Sequence, residues 1–290
     1  VHLTNPHSLS TLWADPRHFQ IAALSTLIGL GVFQFGFEIA WWHVAAVLGG
    51  TLGTQMIADR TVGRMFEPRS ALITAMSLTI LLRTGSVWLS LAAAVLAVGS
   101  KFLLRWDGKH IFNPANFGLV MISLLFAGAW VSPGQWGAAP YLAIGLFVLG
   151  GIVTGKASRW DVSVTLLVSY ATLIFGRALW LGDPLSIPLH QMQSGALLVF
   201  AFFMISDPKT TPDARLGRVV YAMIVAAVGF IIQFGFYNSA GIILALIGTA
   251  PLVPFIDRMF RGERYVWPTS FSHIFKTKGV SDETSYLPAE

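Results

Sequence analysis

The chain has 290 residues, 54% of them hydrophobic and 11% charged, with a mean hydropathy of +0.66, a mixture far from that of soluble globular proteins. The absence of cysteine excludes disulfides, thiolate iron–sulfur clusters, cysteine-ligated zinc and covalently attached haem. A net charge of +5 raises nucleic acid as a partner, but the distribution of the basic residues along the chain gives a better account of it, and no nucleic-acid partner is expected.

Residues 1–18, with Asn5, Pro6, Asp15, Pro16 and Arg17, lack the basic-then-apolar order of a secretory signal and read as a polar N-terminal cytoplasmic segment. Ten apolar runs follow, at about 19–37, 39–58, 71–82, 87–104, 113–130, 138–154, 162–181, 195–206, 217–236 and 239–257. With the first run entering from inside, every lysine and arginine except Arg83 and Arg177 falls on one side. By the positive-inside rule that side is cytoplasmic, which predicts a multi-pass protein of the bacterial inner membrane with both termini in the cytoplasm. Trp41, Trp42, Trp88, Trp106, Trp130, Trp136, Trp160 and Trp180 sit at or near the ends of these runs, where an indole buries its ring and keeps its N–H wet.

Ten spans divide into two sets of five, and an odd number per half makes any repeat an inverted one. "SALITAMSLTILLRTG" resembles "SGALLVFAFFMISDPK", and "NFGLVMISLLF" resembles "NSAGIILALIG", at offsets of about 122 to 125 residues. The expectation is an all-α polytopic membrane protein: a transmembrane domain over 19–257 built from inverted five-helix repeats (about 19–130 and 138–257), then a cytoplasmic tail over 258–290. Spans three and eight are counterparts, each with about twelve apolar residues before Arg83 and Asp207, a rise of only about 18 Å against a hydrocarbon core of about 30 Å. Half-length helices leave backbone groups at a depth without water, so matched short segments point to a binding site between the halves.

In "KFLLRWDGKHIFNPANFGLVMISLLF" (101–126), Asn113 can cap a helix that Pro114 begins, since proline's missing N–H has no partner at that position anyway. Asn116 then enters the apolar layer, either toward a ligand or toward another helix, and Asn238 opens span ten in the same way, so the two could face one another or a shared ligand. In "SDPKTTPDARLGR" (206–218), Asp207, Lys209, Thr210 and Thr211 either bind or simply form a proline-fixed turn.

Taken together, "KHIFNPANFG", "ISDPKTTP" and the closing "PLVPFIDR" resemble the membrane-protein family that contains RnfD of the Rnf complex and NqrB of the sodium-pumping NADH:quinone reductase, over roughly residues 19–258. The resemblance implies a fold similar to urea and ammonium channel proteins and a role in holding flavin and passing electrons within a larger complex. Members of those two complexes carry a covalent FMN phosphate on the threonine of an S-G-A-T-like motif after the fifth span. Here residues 127–141, "AGAWVSPGQWGAAPY", offer only Ser132 as a hydroxyl outside any such motif. Covalent FMN is therefore not expected, and the chain looks more like a divergent bacterial branch described as enediyne-biosynthesis membrane proteins.

The reading that results is an integral-membrane subunit of an electron-transfer complex, holding a noncovalent flavin (FMN or riboflavin) or a quinone and relaying electrons. Its partners are the lipid bilayer and other subunits, docking at the cytoplasmic loops or the tail. The candidate cofactor-binding residues are Arg83, Lys101, Arg105, His110, Asn113, Asn116, Asp207, Lys209, Thr210, Thr211 and Asn238. No haem, metal or iron–sulfur cluster of its own is expected, because His43 and His110 fall on opposite sides. No nucleophile set, Walker loop or dinucleotide fingerprint is present, so the chain is at most an electron-transfer subunit of an oxidoreductase. The alternatives are a small-solute channel or transporter, and a structural subunit without a cofactor.

Overall fold

A computed structural model describes residues 15–131 and 140–267, with the side chains of 140–142 excepted. Among these residues the chain is almost wholly helical. The elements are α1 (Pro16–Phe33), α2 (Trp41–Thr61), α3 (Pro68–Leu81), β1 (Leu82–Thr84), α4 (Val87–Leu103), β2 (Arg105–Trp106), β3 (Lys109–His110), α5 (Pro114–Leu125) and β4 (Ala129–Val131). The second half adds α6 (Pro140–Lys156), α7 (Trp160–Leu181), α8 (Ser186–Met192), α9 (Gly195–Val199) with a π-helical turn (Phe200–Met204), α10 (Arg215–Gly235), α11 (Gly241–Thr249) with a 3-10 turn (Ala250–Leu252), and α12 (Val253–Met259).

Among the described residues, three helices are long and apolar enough to cross a membrane (α7, α10 and the run Gly241–Met259), and the pair α8–α9, bent by 45°, adds a fourth as one broken span. Length alone excludes α3 (14 residues) and α5 (12 residues). The fold is an all-α membrane protein, with Trp41, Trp88, Trp160 and Trp180 exposed at helix ends.

The fifth apolar run departs from the sequence expectation. The apolar run over 113–130 predicts one span, but α5 stops at Leu125, and residues 129–131 form β4 instead, pairing antiparallel with β1 in the register Leu82↔Val131, Arg83↔Trp130 and Thr84↔Ala129. The chains leaving α3 and α5 thus satisfy part of each other's backbone where their helices end, a need that hydropathy does not register. The eighth segment, expected over 195–206, is helical over Gly195–Met204; a 45° bend joins it to α8, and its last turn widens into a π-turn.

Packing follows the same partners in each half. α1 packs on α3, α2 on α4, and α4 on α5; likewise α6 packs on α9, α7 on α10, and α10 on α11. The close approach of α4 and α5 depends on Gly118, where a Cβ would lie 2.4 Å from the Ala93 carbonyl oxygen. Ser70, Lys101 and Asn113 all border one cavity, so α3 and α5, both beginning beside it, run parallel with α4 antiparallel between them.

A polar cavity ringed by proline-capped turns

Four short motifs of one kind meet at a single end of the bundle: Asp15-Pro16-Arg17, Glu67-Pro68-Arg69, Asn113-Pro114 and Asp207-Pro208-Lys209. In each the first residue's side-chain oxygen accepts a backbone N–H two or three residues on, and proline occupies a position where its missing donor costs nothing. Asp15 Oδ1 takes the Arg17 N–H at 3.0 Å, Glu67 Oε1 that of Arg69 at 3.4 Å, Asn113 Oδ1 that of Asn116 at 3.0 Å, and Asp207 Oδ1 that of Lys209 at 3.0 Å.

The first two motifs interlock. Arg17 pairs with Asp15 at 2.7 Å, Arg69 bridges Asp15 at 2.7 Å and Glu67 at 2.6 Å, and Arg17 reaches Glu67 at 3.5 Å. Burial alone would raise the Glu67 carboxyl, but the hydrogen bonds and charge of Arg69, with the charge of Arg17, hold it below its ordinary value. The other two motifs also interlock: the Asn113 amide donates to the Met204 carbonyl at 3.1 Å and lies 3.5 Å from Asp207 Oδ2. One asparagine therefore caps the start of α5 and ties it to the end of the π-turn.

These motifs ring a cavity of about 740 Å³. Its floor is Lys101, only 5% exposed, whose ammonium donates to Gln55 Oε1 at 2.7 Å and Ser70 Oγ at 3.0 Å. Both partners are neutral. Gln55 in turn donates to Asp59 at 2.9 Å, and Asp59 and Asp207 are the carboxylates whose charge bears on Lys101 most strongly. Arg64 and Arg105 add positive charge to the lining, and Phe66, Phe102 and Phe203 add apolar faces.

One wall is the β2–β3 hairpin. Its Asp107-Gly108 turn has both residues at positive φ (49° and 74°), the conformation that favours Asp-Gly in two-residue hairpins. The hairpin places His110 beside Lys101 and Arg105; burial first, and then those two charges, push the imidazole down to about 3, so it is neutral at physiological pH. His110 Nδ1 is buried without a partner among the described residues.

Residues 261–267 have no regular structure, and Arg264, Tyr265 and Trp267 of this segment also line the cavity. The Tyr265 carbonyl accepts from Lys209 at 2.7 Å, its ring lies 5.1 Å from the Arg159 guanidinium, and the Trp267 ring lies 4.7 Å from that of Arg17. Burial pushes the Tyr265 phenol up to about 12. The sequence places Tyr265 and Trp267 in a tail free to meet the membrane surface or a neighbouring subunit; in the structure they line the chain's own cavity. Phe271 and Phe275 lie outside the described residues, as do Ser132 and Trp136.

The eleven candidate residues separate by place. Lys101, Arg105, His110, Asn113, Asp207 and Lys209 line the cavity. Thr210 and Thr211 do not: their hydroxyls donate to the Asp207 carbonyl at 3.3 and 3.0 Å and fix the turn. Asn116, 1% exposed, is close to the cavity in sequence but does not line it, and its Oδ1 has no partner among the described residues.

Arg83 lies at the other end of α3, about 20 Å from Ser70 by helical rise, where it donates to the Thr79 and Leu82 carbonyls at 3.0 and 2.9 Å. His43 is also away from the cavity, with Nδ1 2.7 Å from Ser90 Oγ. Asn238 is exposed and accepts from the Ala240 N–H at 2.9 Å, so it shares no cavity with Asn116. The reason is local: Asn238 sits in the turn between α10, ending at Gly235, and α11, starting at Gly241, where its side chain is spent on a backbone N–H two residues on.

Sequence reasoning misses Gln55, Asp59, Ser70, Arg17 and Glu67. Repetition of the acidic-Pro-basic pattern, and the Asp-Gly hairpin signal beside His110, are the available cues.

The profile of the NQR2, RnfD, RnfE family matches residues 131–266. Over that stretch the chain is similar to this family. It is 26% identical to a protein of Alcanivorax borkumensis described as the D component (RnfD) of an ion-translocating oxidoreductase complex, over 89% of this chain and 92% of that relative. It is 24% identical to the protein of the same description from Methanosarcina acetivorans, over 82% and 87% of the two chains. With that of Cronobacter sakazakii the identity is 33%, but the match covers only 54% of this chain and 44% of the relative.

Proposed function

We propose that the chain is an integral-membrane subunit of an electron-transfer complex and holds a noncovalent flavin in the cavity at its basic end. The observation that carries this is the cavity: about 740 Å³, within the usual range for small-molecule sites, with aromatic faces on its walls and a buried ammonium at its floor. The residues present fit a flavin. Phe66, Phe102 and Trp267 supply flat apolar surface, and Lys101, Arg64 and Arg105 supply charge for a phosphate or an electron-rich ring edge. A quinone fits less well, because its tail needs an apolar exit and this mouth is ringed by ion pairs.

When bound, a flavin supplies a group that accepts electrons from one partner and yields them to another. The chain's own contribution is to orient it, to keep Lys101 fixed through Gln55 and Ser70, and to shield the site beneath the Tyr265–Trp267 segment. Similarity to this family, with relatives described as components of an ion-translocating oxidoreductase complex, supports partner subunits for this chain also. The matching helix partners in the two halves support two inverted five-helix repeats, and the one-sided basic residues support a cytoplasmic placement of the cavity in the inner membrane.

The test is the visible spectrum of the purified full chain and quenching of FMN fluorescence on titration. We expect a yellow protein, or a colourless one that quenches added FMN, with Lys101→Met weakening that binding about tenfold. A protein without pigment that leaves FMN fluorescence unchanged, or one from which only quinone is extracted, overturns the reading. Because the chain has no cysteine, single cysteines at Arg261 and Asp183 report sidedness by maleimide labelling from either face.

A further inference from the structure

Beside the flavin cavity, a second cleft of about 320 Å³ opens between the β2–β3 turn and the end of α12. Lys109 stands between the two, holding Asp213 at 2.9 Å and Asp257 at 2.8 Å, so two of the three carboxylates in the cleft share one ammonium. Asp107, on the turn, is the third. Across from it stand Arg258, Arg261 and Arg264, all exposed, and among the described residues none of them is paired with a carboxylate. Arg264 donates to the Asp107 carbonyl at 2.7 Å. The Arg258 guanidinium is held 5.5 Å from the Trp106 ring and 6.0 Å from that of Phe255, a placement that orients its N–H groups without satisfying its charge.

The surface leading to this cleft is apolar. Leu252, Phe255 and Met259 recur at helical spacing on one face and are 41%, 57% and 75% exposed. This stripe ends at Arg258 and Trp106, the order of a helix passing from acyl chains to headgroups.

We propose that the cleft binds the headgroup of an anionic phospholipid, with the phosphate on Arg258 and Arg261 and the acyl chains along Leu252, Phe255 and Met259. Exposed arginines are well hydrated and hold a free phosphate only weakly, whereas a lipid is already concentrated in the bilayer and adds the apolar contact. The stripe therefore favours a lipid over a soluble anion. The inference requires a membrane but no flavin.

The full chain in neutral detergent is exchanged into mixed micelles with phosphatidylglycerol or phosphatidylcholine, and retained lipid is counted by native mass spectrometry. We expect phosphatidylglycerol to be retained at least about tenfold better. That preference should vanish in Arg258→Gln/Arg261→Gln and persist in Arg258→Lys/Arg261→Lys, while Arg177→Gln, away from the cleft, leaves it unchanged. Equal retention of the two lipids by the unaltered chain overturns the proposal whether or not any variant folds. So does full displacement of phosphatidylglycerol by millimolar inorganic phosphate, which would mark a site for a soluble anion. Flavin binding is read separately, by fluorescence, so failure here leaves that reading intact.

Discussion

At the basic end of the bundle the short helices meet through side chains: Asn113 caps α5 and bonds the carbonyl of Met204, the last residue of the π-turn, while Asp15, Arg17, Glu67 and Arg69 bind the starts of α1 and α3 together. At the opposite end the chains leaving α3 and α5 meet through backbone, as the strands β1 and β4. Both arrangements supply partners for the loose groups that truncated helices leave behind. The cavity described above lies at the first. A strand pair consumes the backbone groups along its length, whereas side-chain caps hold helix termini apart and leave a polar space between them.

That contrast is open to attack at the side-chain end, and the largest expected effect is at Asp15. It is fully buried between Arg17 and Arg69, so Asp15→Asn leaves the one carboxylate of Glu67 to two guanidinium groups and should destabilise the protein by about 3 kcal/mol, measured as the thermal-unfolding midpoint in detergent. A shift of less than about 1 kcal/mol would show that water reaches the network. Next, Asn113→Ala removes a cap and a buried interhelical bond together, with an expected cost of about 2 kcal/mol. Asn238→Ala provides the internal control: its cap is exposed and has a local partner, so the loss should stay below about 1 kcal/mol. Equal losses at the two asparagines would mean that the buried cap and the exposed one are held alike.

Lys101→Met separates stability from binding. It removes a buried ammonium whose hydrogen bonds go to neutral Gln55 and Ser70, so the stability read from the melting midpoint should fall by no more than about 2 kcal/mol while FMN affinity drops about tenfold.

A smaller effect concerns pH. The His110 imidazole ionises near 3 in the fold and near 6.5 when exposed. Its contribution to stability is therefore fully present above about pH 6.5 and is lost as pH falls from there toward 3, because the unfolded chain takes up the proton first. The midpoint should decline between about pH 7 and pH 5, and less steeply in His110→Gln. Identical slopes for the two proteins would mean that the ring is solvated.

Much of this is legible in the residues. The apolar runs locate the helices, and Asn113-Pro114 reads as a helix start because capping is local: a side-chain oxygen, the N–H three residues on, and a proline that needs no donor. Short third and eighth helices follow from counting apolar residues before Arg83 and Asp207. What is not legible depends on distant partners. Lys101 is 46 residues from Gln55 in the chain, and nothing local marks Gln55 as its acceptor. Span five is overlong on paper because "FAGAWV" is as apolar in a strand as in a helix, and only the presence of β1 alongside decides between them.

The sequence by itself determined that this chain lives in a membrane, where its helices begin, and which end is basic, since these depend on transfer energies and contacts within one turn of chain. Tertiary structure alone decided which of the candidate residues share a cavity, that Arg83 and Asn238 do not, and that the segment carrying Tyr265 and Trp267 folds back over it. Those outcomes depend on contacts between residues tens to hundreds of positions apart, for which an amino-acid pattern has no local signature.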